Sequence, residues 1–324
     1  MRKLITLIII IIACNLNTSF ANGNTIFKGS IKNLKSGKIE LLFINNPIDS
    51  NYSILNINLD KEGGFYESYQ LDKAIAARLV IVNDTIPIYL DVADTIEFNY
   101  VGRNHIDVKS KYDNIKYLIE YEALYLEEIN RIVKKSDKYE FRNFAKELDF
   151  ITYSTLTDLK EFSLKNKLSS SFITYQKAKY TYNSANKKFD YFKKHDMLSI
   201  IYENLPENEV YLFYDKLSDT QSDLLLLNEY RQYLLNKHQY KYAQSNNNNL
   251  TVQEQMNLKF RLVTEMYMGR ELYFVITKVM GDILDQYTYI YAKLLISEYM
   301  STVRNHEYRS YIDNKIQLAI RRLE

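Results

Sequence analysis

Apolar residues recur with two different periods along the chain, one before and one after about residue 110. In the first part they alternate with polar residues, as Leu55, Ile57 and Leu59 do with the asparagines between them. A period of two is typical of a strand with one buried face. The pattern predicts strands at 26–31, 38–44, 53–59, 64–66, 76–82, 86–92 and 95–101.

Turn residues and a proline refine this interpretation. The segment 60–64 ends in Gly63 and Gly64, and glycine accepts the positive φ that tight turns need. Pro87 is expected at a strand start or on a sheet edge, because proline donates no hydrogen bond to a ladder. Short strands separated by turns predict a β-sandwich or a small open barrel.

After about residue 110 the apolar residues recur at intervals of three and four, which is the period of a helix with one buried face. Tyr117, Tyr121, Leu124 and Ile129 form one such series. The predicted helices cover 112–136, 138–165, 171–199, 207–216, 221–243, 251–268, 270–303 and 305–323.

Few glycines and prolines interrupt this second part. Gly269 marks either a break or a close-packing position within a continuous helix, and the segment 270–303 is expected to break near Gly281 or Asp285. The other predicted breaks lie at 136–137, 169–171, 205–206, 218–219 and 245–249. The two periods together predict an α+β multidomain protein, with a β-sandwich at 22–110 followed by an all-α helical domain at 111–324.

The first 21 residues have the pattern of a secretory signal peptide. Arg2 and Lys3 precede an apolar run that ends at Ala13. This run of about ten residues is half the length of roughly 20 that a membrane-spanning helix needs. A positive start, a short apolar core and a small-residue exit predict export across the inner membrane.

Two ways of processing this leader are open. The segment Ser19–Ala21 offers small residues to a standard signal peptidase, with cleavage before Asn22. Alternatively, the segment Ile11–Cys14 resembles a bacterial lipobox, which would make Cys14 the lipid-bearing first residue of a lipoprotein. Both routes predict a location in the periplasm or at the outer-membrane surface, and attachment to a membrane only through Cys14.

The charge and tyrosine content narrow the classes of partner. The chain has 42 basic and 40 acidic residues, and removal of Arg2 and Lys3 with the leader makes the two numbers equal. A net charge near zero gives no electrostatic attraction to nucleic acid, so nucleic-acid binding is not expected. Tyrosine accounts for 30 residues, most of them in the helical part. Tyrosine suits both small cores and partner-facing surfaces.

The order of leader, β-domain and helical domain resembles the N-terminal region of the TlpA-like thiol–disulfide oxidoreductases of the Bacteroidetes envelope. The segments that carry the resemblance are Leu59–Phe65 and Ile88–Ile96, and two helical segments, Ser171–Tyr175 and Tyr267–Tyr273, are similar to helices of that family. The turn Val92–Asp94 departs from the family's usual Pro-Gly-Asp.

In this family a thioredoxin-fold domain with a Cys-x-x-Cys pair follows the helical region. Cys14 is the only cysteine of this chain, so the thiolate pair that disulfide exchange requires is absent. The resemblance therefore implies a secreted non-catalytic binding or scaffold module, accessory to thiol–disulfide exchange. Its tyrosine-rich helical surface would hold a protein partner, for example a thioredoxin-like protein. The alternative is a truncated or split oxidoreductase whose thioredoxin domain is encoded separately.

No enzymatic, metal-binding or cofactor-binding motif is found in the sequence. The four histidines have no metal-ligand spacing, and we expect each of them at the surface or at a helix end; they are His105, His195, His238 and His306. Phosphate-binding loops and nucleophile elbows are also missing. We therefore predict neither catalysis nor a bound metal or cofactor, and an unrecognised hydrolase remains a third, weaker hypothesis.

Acidic residues are expected to have structural roles. Asp91 and Asp94 flank a predicted turn, where aspartate binds nearby backbone amides, whereas Ca²⁺ would need roughly six to eight oxygen ligands. Glu127 and Glu128 are expected on a solvated helix face within reach of Arg131 and Lys135.

Two threonines form a candidate modification pattern. Asp84-Thr85-Ile86 and Asp94-Thr95-Ile96 both resemble the Asp-(Ser/Thr)-apolar site of envelope O-glycosylation in Bacteroidetes. We therefore treat Thr85 and Thr95 as candidate glycosylation sites, although threonine is also common in strands for structural reasons.

Overall fold

The computed structural model describes residues 23–32, 34, 37–48, 52–103, 105–200, 210–245, 249–287 and 289–322. The signal peptide, Cys14 and the predicted break at 205–206 lie outside the described residues. Within them, two four-stranded sheets are followed by helices, so the predicted α+β fold class is confirmed.

The two sheets of the sandwich have the strand orders β4–β1–β7–β8 and β3–β2–β5–β6. Strands β1 and β7 are parallel, whereas β1 pairs with β4, β5 with β6 and β7 with β8 in antiparallel register. The strands are β1 (Thr25–Ile31), β2 (Gly37–Phe43), β3 (Ser53–Leu59), β4 (Gly64–Tyr69), β5 (Ile75–Ile81), β6 (Asp84–Leu90), β7 (Thr95–Gly102) and β8 (His105–Lys109).

The period-two pattern correctly placed seven of these strands and missed β8. The buried residues of β1 and β7 lie at alternate positions, and the ring of Phe27 lies 5.0 Å from that of Phe65 and 6.0 Å from that of Phe98. They are Thr25, Phe27 and Ile31 on β1 and Ile96, Phe98 and Tyr100 on β7. Strand β8 alternates only between exposed and half-buried positions, so its sequence carries no buried face to recognise. Pro87 lies on the edge strand β6, as predicted.

The turn at 60–63 leads from β3 in one sheet to β4 in the other. Gly63 has a φ of +83°, and a Cβ at this position would lie 2.4 Å from the carbonyl oxygen of Ile31. The Asp60 carboxylate accepts hydrogen bonds from the backbone amides of Glu62 and Gly64, both at 2.8 Å. These amides stabilise the charged carboxylate and lower the pKa of Asp60.

The second part of the chain is helical. Single 3₁₀ turns connect some of its helices, at Ser136–Lys138, Phe213–Lys216 and Ser222–Leu226. The helices are α1 (Asn114–Tyr117), α2 (Ala123–Val133), α3 (Phe141–Lys165), α4 (Ser170–Lys194), α5 (Asn228–Ser245), α6 (Val252–Met266), α7 (Gly269–Gln286), α8 (Tyr289–Thr302) and α9 (His306–Arg321).

A π-helical turn at Leu118–Glu122 joins α1 to α2 and corrects one sequence prediction. Leu124 was expected on the buried face, but it is 59% exposed and Tyr125 is buried in its place. The π turn closes its hydrogen bonds from i to i+5 and so adds one residue to the turn. The buried face therefore moves by one position, and continues at Ile129 and Ile132.

Several predicted helix ends were wrong for local reasons. Helix α4 ends at Lys194 rather than near residue 199, because Asp196 takes a left-handed φ of +56°. The predicted helix at 207–216 contains only a 3₁₀ turn among its described residues. Two other predictions were confirmed: helix α7 continues through Gly281 but ends at Gln286, beside the expected break at Asp285, and Tyr287 is extended. Gly269 marks a break, with a φ of +59° at the start of α7.

The chain divides into two compact units. Among the described residues, the first contains those up to Leu41 together with Leu55–Ile115, and the second contains Leu42–Ile54 together with the residues from Lys116 onward. The loop between β2 and β3 thus belongs to the helical unit. The backbone carbonyls of Pro47 and Ile48 accept hydrogen bonds there from the side chains of Arg231 (3.0 Å) and Lys278 (2.6 Å).

Candidate functional site

A surface cavity of about 250 Å³, open to solvent on one side, lies where α1 and the π turn pack against the end of α3. Drug-sized ligands usually occupy pockets of roughly 300–1,000 Å³, so this volume suits a ligand of about amino-acid size. The lining residues are Lys116, Glu120, Tyr121, Asp158, Glu161, Phe162, Lys165 and Asn166.

The chain builds this cavity from one helical hairpin. The short 3₁₀ turn at Ser136–Lys138 reverses the chain between α2 and α3, so the beginning of the first helix meets the end of the second. Two aromatic rings form the apolar floor there. The ring of Tyr121 stacks on that of Tyr117 at 4.9 Å and meets the edge of Phe162 at 5.6 Å.

Five charged side chains surround this floor. Lys116, Glu120, Asp158, Glu161 and Lys165 are all exposed. None of the five forms an ion pair or a side-chain hydrogen bond with another described residue. The charges of this cavity are therefore balanced by solvent rather than by neighbouring side chains.

The next carboxylate along the π turn behaves differently. Glu122 forms an ion pair of 2.6 Å with Lys179 of α4, and both side chains are only 14% exposed. The extra residue of the π turn thus places one acidic side chain against the neighbouring helix. Glu120, two residues earlier, remains on the cavity side.

A group of buried tyrosines supports the floor from behind. The hydroxyl of Tyr180 donates to that of Tyr117 at 3.3 Å, and Asn183 donates to the hydroxyl of Tyr125 at 2.9 Å. Burial raises the pKa of Tyr117 to about 12 and raises the pKa values of Tyr125 and Tyr180 further. These phenols are therefore neutral at physiological pH, and their role is to hold α1, α2 and α4 together.

A second polar cluster surrounds Glu271, which is 3% exposed near the start of α7. Its carboxylate accepts hydrogen bonds from Ser222 (2.7 Å) and from Tyr230 (3.2 Å). The Tyr230 hydroxyl in turn accepts a hydrogen bond from the backbone amide of Gln221. This closed arrangement links α5 and the preceding 3₁₀ turn to α7, so we assign it a structural role. The sequence prediction did not single out Glu271 for such a role.

The two candidate glycosylation sites lie apart in the sandwich, Thr85 on β6 and Thr95 at the start of β7. Both threonines are exposed, and neither hydroxyl makes a hydrogen bond to a described residue. Their neighbouring aspartates have structural partners. The hydroxyl of Tyr100 donates to Asp84, and the backbone amides of Thr95 and Lys111 donate to Asp94 at 2.7 and 3.1 Å.

Asp94 accepts from backbone amides as expected, whereas the carboxylate of Asp91 binds a more distant side chain, and Glu128 lies on a solvated face as expected. Asp91 is buried and accepts a hydrogen bond from the side-chain amide of Asn114. Glu128 is exposed and forms an ion pair of 2.6 Å with Arg131.

The histidines do not come together. His105 and His306 are exposed, and His195 caps the end of α4, as predicted. The prediction was wrong for His238, which is buried on α5, with Nε2 2.9 Å from the carbonyl oxygen of Lys259 on α6. Among the described residues, no group of three histidine, cysteine or acidic side chains is arranged to hold a metal ion.

The chain matches no protein-family model, no curated protein and no solved structure. In the part of the chain that the structure describes, no helix is both long enough and apolar enough to cross a membrane.

Proposed function

We propose that the protein is a secreted, non-catalytic binding module of a bacterial envelope, which holds a protein partner through its helical unit. The observation that carries this proposal is the outward face of α3. Phe150, Tyr153 and Leu164 are 70%, 72% and 78% exposed on this one helix. A single exposed apolar side chain is ordinary, whereas an aligned group of them is typical of an interaction surface.

These three residues share one face because they are separated by 3 and 11 positions, close to one and three helical turns. The opposite face of α3 is buried through Leu148, Ile151 and Leu159. Helix α3 therefore has apolar residues on two opposite faces, although packing into the core requires them on only one face. Aromatic residues in such a position supply much of the binding energy of protein interfaces.

Most tyrosines of the helical part do not belong to this surface. Those that are buried are Tyr117, Tyr125, Tyr180, Tyr182, Tyr191, Tyr214, Tyr230, Tyr233, Tyr240, Tyr267, Tyr299 and Tyr308. The sequence predicted a tyrosine-rich helical surface. Among the large side chains that are exposed on the helices, only two are tyrosines, Tyr153 and Tyr291. We propose a contact built on the apolar side chains of α3, with Tyr153 as its only tyrosine.

The resemblance to TlpA-like oxidoreductases suggests a thioredoxin-like protein of the same envelope as the partner. We expect purified protein to bind such a partner in calorimetry, and to lose binding at least tenfold when Phe150, Tyr153 and Leu164 are replaced by serine. The matched control replaces Ile290 and Leu294, which are equally exposed on α8, and should bind normally. Equal loss in both variants, or no binding by the wild type, would contradict the proposal.

The alternative function is half of a split thiol–disulfide oxidoreductase. It rests on the same resemblance and predicts that a reading frame with a Cys-x-x-Cys pair follows the codon of Glu324. Sequencing of the transcript past this codon decides between the two functions, because a stop followed by unrelated sequence leaves only the binding module.

Two processing events belong to the same proposal. We propose lipidation at Cys14 or cleavage before Asn22, and O-glycosylation at Thr85 and Thr95, which is supported by the exposure of both threonine side chains. The mass of the protein from its native host tests both events. A glycan mass that is lost in the Thr85→Ala/Thr95→Ala variant supports modification, and an unmodified native mass excludes it.

A further inference from the structure

We propose that the cavity between the π turn and the end of α3 binds a small organic cation of about amino-acid size. The ammonium group would lie over the ring of Tyr121, among the carboxylates of Glu120, Asp158 and Glu161. This inference concerns a small molecule and is independent of the partner surface on α3.

The charge around the cavity favours a cation. Three carboxylates and two ammonium groups line it, which gives an excess of one negative charge. The cavity also lies at the carboxyl end of α3, where Asn166 caps the helix through the carbonyl oxygen of Phe162. The carboxyl end of a helix carries a partial negative charge of about half an elementary charge. The amino end of the helix that begins at Asn114 lies at the same cavity with the opposite partial charge. The excess carboxylate is therefore the contribution that favours a positive ligand.

The carboxylates of the cavity also have no competing partner. Three other acidic groups of the same helices are paired with cations: Glu122 with Lys179, Glu128 with Arg131, and Asp149 with Lys188. Asp158 and Glu161 line the cavity without such a partner among the described residues. A ligand cation would therefore gain charge attraction to these carboxylates without breaking an existing ion pair.

The aromatic floor of the cavity favours binding of an organic cation over binding of a metal ion. The three carboxylates are not arranged so that they could hold one metal ion. The face of a tyrosine ring attracts an ammonium group electrostatically, and this attraction is the usual basis for recognition of quaternary ammonium compounds. The volume of about 250 Å³ leaves room for a body of a few carbon atoms beside the charged group.

The two lysines make the proposal more specific. Lys116 and Lys165 lie on the same rim and repel a positive ligand. Removal of either charge should therefore strengthen cation binding, whereas removal of a carboxylate should weaken it. Opposite effects of this kind would not result from a general loss of structure.

The test is a titration of the whole protein with choline, followed by calorimetry and by NMR. The neutral control is 3,3-dimethylbutan-1-ol, which has the same shape as choline without its charge. We expect saturable binding of choline, at least tenfold weaker binding in the Asp158→Asn/Glu161→Gln variant, and two- to threefold tighter binding in Lys165→Gln. The matched control is Glu127→Gln, which removes an exposed carboxylate on α2 outside the cavity and should bind normally.

A second variant separates the ring from the charges. Tyr121→Phe keeps the aromatic face and should bind choline within threefold of the wild type, whereas Tyr121→Leu should bind at least fivefold more weakly. The proposal fails if choline does not bind at millimolar concentration, if the neutral alcohol binds equally well, or if the Asp158→Asn/Glu161→Gln variant keeps the wild-type affinity.

Discussion

At the scale of single residues, buried polar groups of the helical unit differ in how fully they are satisfied. Glu271 has two hydroxyl donors, whereas both side-chain amide atoms of Gln176 are buried on α4 without a hydrogen-bond partner. A buried polar group without a partner costs about 1–3 kcal/mol. The free energy of unfolding of this protein is therefore lower than its apolar core alone would give.

We expect Gln176→Met to stabilise the protein by about 1–2 kcal/mol, because methionine fills a similar volume and has no amide to desolvate. Urea unfolding measures the change. Gln255→Met is the control, since the Gln255 amide already donates to the carbonyl oxygen of Leu250 at 3.0 Å. A loss of stability in Gln176→Met would show that this amide makes a favourable interaction in solution.

His238 gives the protein a dependence on pH. Burial lowers the pKa of His238 below its ordinary value of about 6.5 and outweighs the hydrogen bond to the carbonyl oxygen of Lys259, which raises the pKa. The positive charge of Lys259 also lowers the pKa. The folded state therefore binds this proton more weakly than the unfolded state does. The stability that the neutral imidazole provides is complete above about pH 6.5 and is lost as the pH falls through the lower pKa of the folded state.

We expect the urea midpoint of the wild type to fall between pH 7 and pH 5 by more than that of His238→Gln. The glutamine amide can still donate to the carbonyl oxygen of Lys259 but does not titrate. The difference between the two slopes isolates the contribution of His238. Parallel slopes would assign the pH dependence to other groups.

The burial of individual side chains could be predicted from the sequence only in part. The exposure of Glu128 followed from the polar face on which it lies. The burial of His238 did not, because α5 packs against both α4 and α6 and its buried positions include polar residues such as Asn236 and Arg231. A helix that is covered on more than one side has no single apolar stripe from which its inward positions could be predicted.

At the scale of elements, hydrophobic periodicity predicted the strands and helices that have a regular buried face. It missed strand β8 and the π turn, which have no such regular pattern. The strands of the sandwich were found because each has a buried face, and β8 was missed because it has none. The first helix was predicted as a helix, but the π turn moved its buried face from Leu124 to Tyr125. This same turn places Tyr121 in the candidate cavity. The sequence pattern did not predict the π turn, so it could not predict this position of Tyr121.

The turn between β3 and β4 gives a test at this scale. We expect Gly63→Ala to destabilise the protein by at least about 2 kcal/mol, since alanine disfavours the positive φ and its Cβ would contact the backbone of Ile31. Gly102→Ala is the control, because a Cβ there meets nothing within 4 Å. Thermal unfolding of both variants measures the difference. Equal changes would mean that the turn relaxes freely.

At the scale of the whole molecule, the change in period near residue 110 predicted the fold class. It did not predict which segments belong to each of the two compact units. The segment Leu42–Ile54 includes the end of β2 and the start of β3, and nothing in its sequence pattern assigns it to the helices. The loop contacts the helices through two backbone carbonyls. A sequence cannot predict such contacts, because every residue has a backbone carbonyl. Arg231 is 5% exposed and depends on the carbonyl oxygen of Pro47.

We therefore expect a fragment of residues 111–324 to be less stable than the same helices in the full chain. The fragment lacks Pro47 and Ile48, so Arg231 and Lys278 lose acceptors that they use in the full protein. Hydrogen exchange of α5 and α7 measures the effect in both forms. Equal protection in the fragment would show that the loop adds nothing to the helical unit.

The same loop binds side chains that are synthesised much later than the loop itself. Pro47 precedes Arg231 by 184 positions, and Ile48 precedes Lys278 by 230. At a synthesis rate of about 5–20 residues per second, the loop waits roughly 10–50 s before both of its partners exist. The helical unit therefore becomes complete only after most of the chain has been made.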